Sequence, residues 1–195
     1  MKPNNTVINK FGSVRMIVFV AAVAALSSGC RTVSIKVYPT ARIQDASSQK
    51  IGLSVGLMMD NAFCTNQFIP FGGARIYPFG PALTQQSISL CEQSFEKVNV
   101  STNGLVPAGV DAILTPTMHR CGIGYAPHSA TEEITLLLQW TLRTADNRNI
   151  LWMTTVDGHA KASRKEVYQL LFDDLANKSY RAFQDSAEIK RIIAK

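Results

Sequence analysis

Glu133 to Arg143 (EITLLLQWTLR) and Asn149 to Ala162 (NILWMTTVDGHAKA) are separated only by Thr144 and Ala145-Asp146-Asn147-Arg148. Along the first segment Ile134, Leu136, Leu138, Trp140 and Leu142 share one face, and Thr135, Gln139, Thr141 and Arg143 share the other. That period of two is the signature of a strand with one apolar face. Trp152 and Val156 continue the apolar face on the return segment, and the Asp and Asn between them supply turn chemistry. The stretch predicts a β-hairpin.

The periodicity changes on either side of the hairpin. Downstream, Ser163 with Glu166 three residues later reads as a capping box. Val167, Leu170, Leu171, Leu175 and Ala182 then form a helical stripe to about 184, and Ile189, Ile192 and Ile193 predict a short terminal helix after Asp185-Ser186. Upstream, Lys50 to Asp60 (KIGLSVGLMMD) is a strand with Ile51, Leu53, Val55, Leu57 and Met59 on one face. Its other face, Gly52, Ser54 and Gly56, is small enough to admit a closely packed element, most simply a helix. Pro81 after Gly80 opens a helix over about 81–98, on the stripe Leu83, Ser87, Cys91, Phe95 and Val98. Val110 to Arg120 reads as a second strand, with Pro116 placing it at a bulge or near an edge.

Nearer the start, Val33, Ile35 and Val37 alternate as a short strand that Pro39 ends, and Ala46 to Lys50 is linker-like. Residues 30–49 therefore read as a tether with a short strand, and 50–195 as a single domain without internal repeats. The order β–β–α–β–β–β–α predicts an α+β fold, with a mixed, mostly antiparallel sheet of about four to five strands and two helices packed on one face.

The chain has 195 residues, 46% hydrophobic and 17% charged, with 20 Lys and Arg against 14 Asp and Glu, a net charge of +6. The apolar share excludes wholesale disorder. Residues 1–15 carry Lys2, Lys10 and Arg15 and no acid, and Met16 to Leu26 is an unbroken apolar run. As a helix that run spans only about 17 Å, against roughly 30 Å of bilayer core, so it reads as a signal peptide over 1–29, removed on export. Ser27, Ser28 and Gly29 precede Cys30. This end resembles the lipobox of bacterial lipoproteins, although Leu26 stands one place early and Ser27 occupies the position that usually holds Leu or Val.

The resemblance implies a diacylglycerol on the Cys30 thiol, cleavage before it, and an acyl chain on its new amino group, with no other cofactor. Arg31, where an Asp would retain the protein in the inner membrane, implies the periplasmic face of the outer membrane. Without residues 1–29 the charge is 17 − 14 = +3, so the basic excess does not argue for a nucleic-acid partner.

The element order and the Ile134–Trp152 hairpin resemble small envelope lipoproteins of the lipopolysaccharide-assembly, penicillin-binding-protein-activator and curli-secretion types. That resemblance implies a non-catalytic adaptor or accessory factor for assembly or transport, with an envelope protein as partner and the membrane as anchor. The alternative is a small-molecule or lipid-binding lipoprotein, with the Gly52, Ser54, Gly56 face walling an apolar pocket.

The chemistry-bearing residues are sparse. No G-x-S-x-G, P-loop, dinucleotide or S-x-x-K motif occurs, so the chain reads as not an enzyme. Cys64, Cys91 and Cys121 remain for an oxidising compartment. If the first strand, the helix and the second strand form a βαβ unit, Cys64 and Cys121 lie at neighbouring strand ends and could pair. The alternative leaves all three reduced, with Cys91 a small buried hydrophobe. His119 near Cys121 reads as coincidence, and His119, His128 and His159 show no metal-ligand spacing. Glu132-Glu133 and Asp173-Asp174 read as solvated surface.

The stretch 65–80 (TNQFIPFGGARIYPFG) is rich in aromatics, Pro and Gly, with Arg75 its one charge. Phe68, Phe71, Arg75, Tyr77 and Phe79, joined by Tyr125 from the region 122–131, form the candidate surface for a partner or a membrane. The competing reading folds these aromatics back over the core. Lys161, Arg164 and Lys165 form one basic cluster and Lys190, Arg191 and Lys195 another at the end, with anionic lipid or lipopolysaccharide as candidate ligand against a reading of plain solvated charge.

Overall fold

The computed structural model describes residues 31–44, 49–71, 75–125 and 130–194. The signal segment 1–29, Cys30 and His128 lie outside these. The five-stranded sheet has the order β4-β2-β5-β6-β7, from β2 (Ile51–Met58), β4 (Phe95–Ser101), β5 (Ala112–Tyr125), β6 (Thr131–Thr144) and β7 (Ile150–Ser163). β2 pairs in parallel with β4 and, over Val55–Leu57 only, with β5. The long ladders β5–β6 and β6–β7 are antiparallel. Two-residue strands β1 (Arg31–Thr32) and β3 (Arg75–Ile76) form a separate parallel pair. One-turn α1 (Asn61–Cys64) precedes the two long helices α2 (Phe79–Ser94) and α3 (Val167–Asp185), and α4 (Ala187–Ile193) follows. This is the α+β architecture the sequence predicts.

The hairpin forms as its periodicity requires. Ile134, Leu136, Leu138, Trp140 and Leu142 are all buried, joined from β7 by Val156 and Ala160. Asn147 turns the chain at φ 60, a left-handed conformation that Asn tolerates better than most residues. Trp140 donates its indole N–H to the Ser179 hydroxyl at 2.8 Å and meets Phe183 edge-on at 5.1 Å. These contacts fix α3 across β6, with Phe95 and Trp152 packed on the same Phe183 ring. Pro116 stands in β5 beyond Leu114, where β2 no longer pairs with that strand, so its missing N–H costs no bond to β2.

Three expectations differ. The helix predicted over 81–98 ends at Ser94; Phe95 is extended (φ −115, ψ 154), and the chain passes directly into the edge strand β4. Phe95 continues the helical spacing, yet it is buried as a strand residue against Phe183. Helices cover the Ile51–Met59 face of β2, whereas the Gly56 face is met by Pro107 of the β4–β5 connection, 3.0 Å from where a Cβ would stand. Finally, Ser163 ends β7, and its hydroxyl bonds the Glu166 carboxylate at 2.7 Å instead of capping the helix, which starts at Val167. The predicted terminal helix does form, with Ser186 accepting from the Ile189 N–H.

Candidate functional site

The described chain enters the domain at Arg31, beside the end of the sheet where β6 begins and β7 finishes. Residues 31–44, expected as a tether, are strapped across the two long helices. Val33, Ile35 and Val37 do alternate as half-buried residues against the core, but their segment forms no sheet strand. Side chains of the helices take its backbone groups instead. Gln169 of α3 accepts from the Tyr38 N–H at 2.6 Å, and Gln86 of α2 donates to the Tyr38 carbonyl at 2.5 Å. Ser89 and Gln93 hold both ends of Ala41, and Asn177 bridges Arg42 and Gln44.

Beneath this strap, Lys36, Val37, Tyr38, Arg42, Lys165, Glu166, Gln169, Leu170 and Asp173 line an open cleft of about 640 Å³. Arg42 stacks over the Tyr38 ring at 3.4 Å. Burial holds the Asp173 carboxyl above the usual carboxylate range, against an opposing bond from Gln169.

The second element is a buried carboxylate. Glu132, read from sequence as solvated, is only 2% exposed. It receives the Arg164 Nε–H at 2.6 Å, the Tyr168 hydroxyl at 3.1 Å and Arg75 Nη1 at 3.4 Å. One side chain thus joins β6, the β7–α3 turn, α3 and β3. Its neighbour Glu133 faces the other way and is half-buried. A bond from His159 and then one from Lys161 hold the Glu133 carboxyl below its usual range.

The stretch 65–80 divides into two parts. Phe68 and Tyr77 exchange both backbone hydrogen bonds at 2.9 Å, making a narrow neck. Tyr77 and Phe79 are fully buried, with Phe79 stacked on Tyr77 and tilted against Tyr168 and Phe172. The expectation that these two belong to a contact surface is corrected: large rings beside the start of α2 gain more from the core than from water. Phe68 is half-buried on the neck, and Arg75 is half-buried and engaged by Glu132. At the turn of the loop, Phe71 is fully exposed and Ile69 is 54% exposed. Tyr125 ends β5 opposite Glu132.

The remaining candidates separate. Cys64, Cys91 and Cys121 are all free thiols. The Cys64–Cys121 pairing fails because β5 leaves β2 after Leu114 and runs on with β6, carrying Cys121 along the hairpin, opposite Leu136. Cys64 faces the Thr102 carbonyl instead. His119 bonds Gln139 at 2.8 Å, which gives it a partner other than Cys121. Burial pushes the Cys121 thiol up to about 12 and raises that of Cys91 further. Both thiols should therefore react with iodoacetamide at mildly alkaline pH roughly tenfold more slowly in the native state than in denaturant, as mass spectrometry of labelled peptides would read. Native labelling of either at the denatured rate would contradict the burial. Among the described residues no cluster of three His, Cys, Asp or Glu is placed to hold a metal ion.

The pocket expected along Gly52, Ser54 and Gly56 does not form as a wall. Gly56 is closed by Pro107 and Ile113, and the Ser54 N–H bonds Asp111. Gly52 borders a hollow of about 270 Å³ against α4. Between the helices and the sheet, the gap lined by Leu83, Leu138, Trp140 and Phe172 measures only about 10 Å³.

By its topology the chain is a two-layer α+β domain with its entering segment strapped over the helices. No protein-family model matches it, and no curated protein matches it by sequence. It is similar in fold to protein XCC0632 from Xanthomonas campestris, with a TM-score of 0.53 at 10% identity, covering 82% of this chain and 100% of that one. A protein described as a neuraminyllactose-binding hemagglutinin homolog from Helicobacter pylori aligns with a TM-score of 0.47 at 9% identity, over 82% of this chain and 97% of its own. A minor lipoprotein from Acinetobacter baumannii aligns with a TM-score of 0.39 at 12% identity, over 68% of this chain and 92% of its own.

Proposed function

We propose that the chain is a bacterial envelope lipoprotein, anchored through acyl chains on Cys30 to the periplasmic face of the outer membrane. There it acts as a non-catalytic adaptor or accessory factor in assembly or transport. The observation that carries this reading is the strap. From the residue after Cys30 onward the chain is bonded into the domain, so an anchor at Cys30 holds the whole domain against the bilayer. Two or three acyl chains, at roughly 0.8 kcal/mol per buried CH₂, make such an anchor stable. The non-catalytic role is supported by His119 bonding Gln139, by the burial that raises the Cys91 and Cys121 thiols, and by the close packing of the helices on the sheet at Leu83, Trp140 and Phe172. The face of β5–β7 away from the helices leaves Thr117, His119, Thr135, Met153 and Thr155 exposed, and this mainly polar face is the one offered to an envelope protein.

The test of anchoring is Cys30→Ala, which should release the protein from membranes and abolish labelling by an alkyne fatty acid. Retained labelling would overturn the assignment of Cys30. A photo-crosslinking residue at Thr155 should capture one envelope protein in cells, and an absence of any specific adduct would count against the adaptor role.

A further inference from the structure

We infer that the loop end bearing Ile69 and Phe71 is a second, direct contact with the bilayer, in which these two side chains insert among anionic lipids while the surrounding basic residues meet the headgroups. This rests on the reading of Cys30 as the anchor and adds a surface that the anchor alone does not provide.

Chain length comes first. Cys30 is one peptide from Arg31, a Cα separation of about 3.8 Å, and Arg31 is paired with Arg75. The pair is parallel, so the chain enters β1 at the same end at which β3 emerges from the loop that turns at Phe71. The Val33 N–H bonds the Ile76 carbonyl at 2.8 Å, so no slack follows. Acyl chains on Cys30 therefore bring this loop to the membrane.

Apolar character is the next observation. Phe71 is fully exposed and Ile69 is 54% exposed, while their neighbours Tyr77 and Phe79 are fully buried. The loop sorts its large side chains into a core pair and an outward pair. The neck at Phe68–Tyr77 and the Arg75–Glu132 contact hold the outward pair on a fixed base.

Charge completes the argument. Arg31, Lys36, Lys161, Arg164 and Lys165 are exposed around this end, with Arg75 half-buried among them. Their acidic neighbours are Glu132, Glu133 and Glu166. Six basic against three acidic groups give +3, and the rest of the mature chain, with eleven of each, is neutral. The +3 of these nine groups equals the net charge of the mature chain. Basic groups beside inserted apolar side chains are the pattern by which peripheral proteins hold anionic membrane surfaces.

The experiment uses the full chain, expressed with its signal and reconstituted in vesicles of phosphatidylcholine with phosphatidylglycerol. Phe71 touches nothing that folding needs, so Phe71→Trp places a fluorescent reporter at the tip. Emission from the introduced indole is expected to shift to the blue and to be quenched by lipids brominated about 5–10 Å below the headgroups. The wild type, whose only indoles are Trp140 and Trp152, should be unaffected. An unshifted, unquenched reporter overturns the inference. Equal quenching in pure phosphatidylcholine overturns its electrostatic half.

Acyl labelling of the same preparation separates the two readings. Label without quenching removes the contact and keeps the anchor. Quenching without label keeps the contact and removes the anchor.

Discussion

Glu132→Ala is expected to lower the free energy of unfolding by about 3 kcal/mol, read by urea denaturation followed through the combined fluorescence of Trp140 and Trp152. Breaking a fully buried ion pair costs roughly 3–5 kcal/mol, because the surviving charge is left without compensation. Here the carboxylate is 3% exposed, but Arg164 and Arg75 are 54% and 35% exposed. Both guanidinium groups can regain water, which places the loss at the lower end of that range. The contribution of Tyr168 pushes the other way, since its hydroxyl is buried and loses an acceptor. Glu132→Gln keeps the shape and one acceptor oxygen, and should cost about half as much. The local effect is as informative as the global one. With Arg75 no longer drawn to the sheet, the chain beside it should become a site of limited proteolysis before the domain unfolds. Stability within about 0.5 kcal/mol of wild type, with the loop still resistant, would show that Glu132 does not clamp it.

The parity that reveals the hairpin also contained this clamp. Glu132 shares its face with Ile134, Leu136 and Leu138, and a strand period of two sends it inward with them. Taken as an adjacent pair, Glu132-Glu133 resembles one surface feature, yet alternation splits it between the two faces. What no local pattern could supply is the partner set. Arg75 and Arg164 are 89 residues apart in the chain, and neither stands in a motif.

The strap was hidden for a related reason. Its alternation of Val33, Ile35 and Val37 is legible, but its hydrogen-bond partners are Gln86, Ser89, Gln93, Gln169 and Asn177. Such residues look like an ordinary wet helix face until something is laid on them. The missed strand β4 has a different cause. Helix α2 runs into it without Gly, Pro or Asn between, so the usual punctuation is missing, and Phe95 satisfies the helical stripe and the sheet equally well.

The hairpin, the Gly/Ser strand and the terminal helices needed only short-range periodicity, and they are where the sequence places them. The ends of elements, and everything held by a side chain crossing between layers, depended on tertiary packing. The candidate site is built almost entirely of such crossings. Its legible part was therefore the unusual composition of 65–80, while the division of that stretch into a buried half and an exposed half was not.

Gly80→Ala should cost about 3 kcal/mol as well, for a reason with no electrostatic component. A Cβ at this position would stand 2.4 Å from the Asn66 nitrogen, 2.5 Å from the Cys64 oxygen and 2.7 Å from the Cys64 carbonyl carbon. All three are backbone atoms, so no side chain can rotate away. Nor can the backbone easily retreat. Asp60 caps α1 through the Phe63 N–H, Thr65 and Asn66 bond back to Asn61 and Phe63, and the Gly80 N–H itself donates to the Asn66 carbonyl at 3.0 Å. On the other side Phe79 is wedged among Tyr77, Tyr168 and Phe172, with centroids 6.2–6.4 Å away. Relief must come from displacing the start of α2, which loosens that aromatic cluster and the loop neck above it; overpacking of this kind costs about 1–3 kcal/mol, occasionally more.

Gly109→Ala provides the contrast. Gly109 has φ +68 and nothing within 4 Å of its would-be Cβ, so the substitution carries only left-handed backbone strain, about 1 kcal/mol. Thermal melts of the two variants should therefore separate clearly, with Gly80→Ala far lower. If Gly80→Ala melts with or above Gly109→Ala, the close approach of α2 to α1 is not a fixed feature of the fold. The anchored base proposed for the Phe71 loop would then lose one of its supports.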